Sequence, residues 1–120
     1  MGNYNNMEVW QDAKNLAVRI YHLTNQRAFS KDFSLRDQIR RAAVSIPSNL
    51  AEGEESVFNK VSIKHFSIAC GSLAELRTQM EIAKEIGYLD DNNYDNLAQI
   101  MIVLNKRIKK LIQFRKNKIN

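Results

Sequence analysis

Proline occurs once and glycine four times in 120 residues, so the chain has few of the breakers that sheets, hairpins and long loops depend on. Long helices are the default that remains. A single cysteine excludes an internal disulfide, and with it the small secreted scaffolds built on disulfides, which fits a reducing cytoplasm. No stretch approaches the roughly 18 apolar residues of a membrane span. The opening MGNYNNMEVWQD lacks the basic start and apolar run of a secretory leader. Met1-Gly2 does not complete a myristoylation signal, because position 6 is Asn6 where that signal wants Ser or Thr. These absences predict a soluble, cytoplasmic protein. A hydrophobic content of 44% against 26% charged is ordinary globular usage, which excludes global disorder and leaves room for one domain around one core.

What is present is helical periodicity. Trp10, Ala13, Ala17, Ile20 and Leu23 recur at spacings of three and four, predicting a first helix over about 6–28, with Asn5 capping it and Glu8 answering three residues later. Leu35, Ile39, Ala42, Ala43, Ile46 and Leu50 mark a second over about 35–52, opened by Ser34 and Asp37 and ended near Gly53. Pro47 falls inside that pattern, where a missing donor and a restricted preceding residue predict a kink or an early end near Ser45–Ser48. Phe66, Ala69, Leu73, Leu76, Met80 and Ala83 form the cleanest seam, over about 58–86. Gly87 supplies a left-handed cap, and Asp90 opens a fourth helix over about 91–116 carrying Tyr94, Leu97, Met101, Leu104, Ile108 and Leu111. Four helices with short links predict an all-α, antiparallel up-down-up-down four-helix bundle.

One core cannot bury everything apolar. Ile100, Met101, Ile102, Val103 and Leu104 are consecutive and point around more than a full turn. Val9, Leu16 and Tyr21 widen the apolar arc of the first helix to about 160°, with Val18 beyond its edge. Both features predict a second covered face and a homo-oligomer.

Motifs for catalysis are weak throughout. His22 and His65 lack a second ligand at metal-binding spacing, Cys70 sits beside a seam residue like a small buried hydrophobe, and Glu52, Glu54 and Glu55 read as a solvated run where the second helix ends. No phosphate loop or nucleophile elbow occurs. The expectation is no enzyme, metal or cofactor.

Positive charge is concentrated instead. The net charge is +5, yet from Lys106 onward there are seven basic residues and no acidic one, leaving the rest of the chain at −2. Lys106, Arg107, Lys109 and Lys110 span just over one turn and so ring the helix, with Arg115, Lys116 and Lys118 extending the field. Arg36, Arg40 and Arg41 form a second group on helix 2. Such clusters neutralise nucleic-acid phosphates without reading sequence. The rival is a protein-interaction scaffold whose charge serves solubility and complements helix C-termini.

The run LRDQIRRAAVSIPSNLAEGE from Leu35 to Glu54, with FSIACGSLAELRTQMEIAKEIGYL from Phe66 to Leu89, resembles a known family. Arg41-Ala42, Ser45-Ile46, Asn49, Ala51-Glu52-Gly53, Ser72, Glu75 and Gly87-Tyr88-Leu89 carry the likeness. The family is the four-helix bundle proteins encoded within intervening sequences of bacterial 23S ribosomal RNA genes. The resemblance implies a short bundle assembling into a homopentamer. It also implies kinship with the accessory variability protein of diversity-generating retroelements, a basic pentameric barrel that binds nucleic acid and its reverse transcriptase. It brings no reaction, because the family is named for where its genes lie. Arg41, Glu52 and Glu75 are expected to form a buried or interface ion network.

Overall fold

The computed structural model describes residues 3–119. A 3-10 turn, Tyr4–Asn6, leads into α1 (Glu8–Thr24), a short α2 (Arg27–Lys31), then α3 (Phe33–Glu55), α4 (Asn59–Glu85) and α5 (Asp91–Lys116). The four long helices form a rod of 50 × 22 × 19 Å. Pairs across α3 and α4 descend on one helix as they ascend on the other: Arg41 beside Glu75, Ser45 with Ser72, Asn49 with His65. α3 and α4 therefore run in opposite directions, and Arg107 of α5 pairs with Asp12 of α1.

The core follows the three-and-four spacing. Ala13, Ala17 and Ile20 of α1, Ile39, Ala42, Ala43, Ile46 and Leu50 of α3, all six seam residues of α4, and Leu97, Met101, Leu104 and Ile108 of α5 are buried. Each large aliphatic among them contributes about 1.5–3 kcal/mol of transfer free energy. Trp10, Leu23, Leu35, Tyr94 and Leu111 are half-buried and pack against the margin of that core.

Boundaries differ from the sequence expectations for local reasons. Asn5 lies in the 3-10 turn and does not cap α1; its carbonyl accepts from Gln11 Nε2 at 2.9 Å, and Tyr4 meets Trp10 edge-on. α1 stops at Thr24 and not at 28: the Asn25 and Gln26 amides turn back to the His22 and Leu23 carbonyls, both at 3.3 Å, and Arg27 takes φ +46°, a left-handed step that separates α1 from the short helix it opens. The short α2 that follows buries Phe29 against Tyr88, ring centroids 5.1 Å apart. The cap of α3 is Asp32, accepting from the Leu35 amide at 3.2 Å, so Ser34 sits inside the helix.

Pro47 does not end α3. It is buried mid-helix, and although its ring forfeits one backbone bond at a cost near 3 kcal/mol, fully buried Ile46 and Leu50 on either side hold the helix to the core. Nor does Gly53 end it. A Cβ there would lie 2.5 Å from Phe66 Cε1, so Gly53 is the close-approach point of α3 and α4.

The α4–α5 turn forms as expected. Gly87 takes φ +89°, the Tyr88 amide reaches the Ala83 carbonyl at 2.9 Å and the Gly87 amide that of Lys84 at 3.1 Å, the two bonds of a Schellman cap. Asp90 then caps α5 by accepting from the Asn93 amide at 2.7 Å. No helix among the described residues is long and apolar enough to cross a membrane.

Candidate nucleic-acid interface

The nine cations singled out from sequence divide into two groups by what they touch. Arg36 bridges Asp37 and the Ser30 carbonyl, both at 3.0 Å, and covers the Phe33 ring. Arg40 donates to the buried Thr24 hydroxyl at 2.8 Å and lies over Tyr21. Arg107 pairs with Asp12 on α1. Arg115, only 14% exposed, meets Glu54 at 3.6 Å and Asn59 at 3.1 Å. These four arginines brace the bundle.

Arg41, Lys106, Lys109, Lys110 and Lys116 are exposed, and none makes an ion pair with a described residue. At about 100° per residue, Lys106, Lys109 and Lys110 fall within an arc of about 100° on the side of α5 away from its buried residues. They therefore share a face and do not ring the helix, because Arg107 turns to α1. Lys109 stands near Cys70, whose thiol is nonetheless pushed above its ordinary range because burial outweighs the pull of that cation. Cys70 is thus held in its protonated form, as a packing residue.

A second arrangement joins α3 to α4. Along the α3–α4 seam, Ser72 donates to Ser45 Oγ at 2.8 Å, and Asn49 Nδ2 donates to the Ser45 carbonyl and hydroxyl at 2.9 and 3.0 Å. His65 Nδ1 lies 3.0 Å from both Asn49 Oδ1 and Glu52 Oε2, so that nitrogen carries the proton and the two oxygens accept. Further along, Arg41 and Glu75 line a recess of about 200 Å³ with Gln38, without an ion pair between them. Beyond it Gln79 is buried, its Oε1 without a hydrogen-bond partner among the described residues. The expected Arg41–Glu52–Glu75 network is therefore a polar row in which Glu52 answers His65. Glu52 and Glu54 lie within α3 and have partners, so they are not a solvated loop run.

At one end of the rod, Met7, Val57, Leu111, Phe114 and Lys118 surround a recess of about 620 Å³. Between α1 and α5 runs a mainly apolar groove of about 460 Å³, formed by Leu16, Ile100, Val103 and Leu104 and edged by Arg19 and Arg107.

A family model described as 23S rRNA-intervening sequence protein matches residues 5–110. The chain belongs to that family. A crystal structure at 1.70 Å of a protein with unknown function from the S23 ribosomal protein family, from Bacteroides thetaiotaomicron VPI-5482, superposes with a TM-score of 0.80. It is 24% identical over 87% of this chain and 97% of that one, a likeness of fold. No curated protein matches. Of the residues that carry the likeness, Ser45, Asn49, Glu52 and Ser72 hydrogen-bond in the polar row, Arg41 and Glu75 line its recess and Gly53 lets α3 and α4 close beside it, while Gly87 and Tyr88 make the α4–α5 turn.

Proposed function

We propose that the protein is a non-catalytic, cytoplasmic, oligomeric module that takes RNA or DNA phosphates onto the outward face of α5, with low sequence specificity. The carrying observation is the shared solvent face of Lys106, Lys109 and Lys110, none ion-paired with a described residue. A phosphate needs only mobile ammonium groups at helical spacing, and no base-edge reader such as Asn or Gln need accompany them. Assembly into a ring, a pentamer by the family resemblance, repeats the lysine face and raises avidity.

A salt titration of a labelled RNA and a labelled duplex tests this. Affinity should fall linearly on a log–log plot, by about 0.7–0.9 per phosphate neutralised. Absence of binding at low salt, or binding indifferent to salt, removes the reading. The α1–α5 groove favours a second reading, a protein-interaction scaffold, which survives that negative result.

A further inference from the structure

We propose that the end of the rod formed by the α3–α4 turn and the last turns of α5 is a stacking site for single-stranded nucleic acid, with Phe114 as its platform. This deepens the nucleic-acid reading above and rests on it. The large apolar side chains most exposed at this end are Val57 and Phe58 in the turn, 64% and 67% exposed, and Phe114 on α5, 57% exposed. Single exposed hydrophobics are ordinary, but Val57 and Phe114 share the walls of one recess with Leu111 beneath. Its volume of about 620 Å³ lies within the range of built ligand sites, roughly 300–1,000 Å³.

Charge selects the occupant. Lys60, Lys110, Arg115, Lys116 and Lys118 lie at this end and outnumber Glu8, Glu54 and Glu55, and Glu54, which lines the recess, is engaged by Arg115. The occupant is therefore anionic and offers an apolar face. Lys118 Nζ lies 4.3 Å above the Phe114 ring, so a cation already marks the side on which a nucleotide would lie. A base that takes that face releases the ammonium to the neighbouring phosphate.

Lys106, Lys110 and Phe114 follow one another at four-residue steps of about 6 Å along α5, so the lysine face leads directly into the platform. A duplex buries its base faces and gains only from the lysines. A single strand engages both.

The experiment is fluorescence anisotropy with a labelled oligouridine and a duplex of equal length, using the full chain. Wild type should hold the single strand more tightly than the duplex. Phe114→Ala should weaken the single strand roughly 5- to 150-fold, the range of one lost stack, and leave the duplex within about twofold. Phe114→Trp, keeping a π face, should retain the preference, and circular dichroism checks that each variant is folded. If Phe114→Ala leaves single-strand affinity intact or weakens both ligands equally, the proposal fails while duplex binding by the lysine face stands. If wild type binds neither ligand at low salt, both readings fail together. Tight binding to phosphatidylserine vesicles without strand binding also overturns it, assigning the patch to a lipid surface.

Discussion

Tyr88 donates a hydrogen bond to Asp32 Oδ2 at 2.9 Å, joining the α4–α5 turn to the cap of α3 across 56 positions of chain. Asp32 Oδ1 meanwhile accepts from the Leu35 amide. One carboxylate thus starts α3 and fixes the turn that aims α5. The bond to Asp32, helped by desolvation and the carboxylate charge, raises the Tyr88 phenol above its ordinary range. A phenol whose folded pKa is raised stabilises the fold fully below the unfolded value, near 10, and loses that contribution as pH climbs through the folded value. Tyr88→Phe should therefore lower the urea midpoint at pH 7 and converge with wild type in strongly alkaline buffer. A gap that persists unchanged at high pH would show that the bond does not govern it.

Two glycines, one in α3 and one in α4, should respond to the same substitution in opposite directions. Gly71 is exposed on α4, and a methyl added there would meet nothing within 4 Å, so Gly71→Ala should stabilise by about 0.5–1 kcal/mol through helix propensity alone. Gly53→Ala gains the same propensity but drives a methyl into the ring of Phe66, which is fully buried and has no room to retreat. The expected net loss is about 1–3 kcal/mol. Phe66→Leu should cost less in the Gly53→Ala background than alone, a coupling that denaturant melts of the four proteins will measure.

The division of cations into braces and free lysines makes its own prediction. Arg40→Ala removes the donor to the buried Thr24 hydroxyl and should destabilise by about 1–2 kcal/mol with little change in the salt slope of nucleic-acid binding. Replacing Lys106, Lys109 and Lys110 together by Ala should leave stability within about 0.5 kcal/mol per site, yet reduce the salt slope by about one for each lysine that touches a phosphate. Equal slopes in wild type and the triple variant would move the binding surface elsewhere.

How much of this is legible in the sequence depends on the range of the contact. The seam Phe66–Ala83 and the Gly87 turn are readable because a helix buries what recurs every three or four residues, and a left-handed cap needs only one glycine. Arg40 looks equivalent to the lysines, since nothing local reveals that Thr24 and Tyr21 wait on another helix. Arg115 and Glu54 lie 61 positions apart, so that brace is invisible without the fold. Pro47 misleads because its backbone penalty is local, whereas the burial that offsets it comes from the rest of the bundle. The polar row does carry a signal: Arg41, Ser45, Asn49 and Glu52 step by four, four and three along one face of α3.

The five consecutive apolar residues of α5 lead to the last prediction. Met101 and Leu104 are buried and Ile100 and Ile102 partly so, but Val103 remains 50% exposed at the edge of the α1–α5 groove. Within one protomer, Val103→Glu should cost under about 0.5 kcal/mol, because a half-exposed site lets the carboxylate stay hydrated. If copies of the chain meet along this groove, the same charge is buried against apolar surface and the cost rises to several kcal/mol per contact. Light scattering should then give wild type a mass that is a multiple of 13.9 kDa and Val103→Glu the protomer mass, with unchanged helical signal. Leu104→Ala is the contrast: fully buried beside Val103, it should lower stability by about 2–5 kcal/mol whatever the assembly does. A monomeric wild type, or a Val103→Glu variant of undiminished mass, would take the interface off this groove.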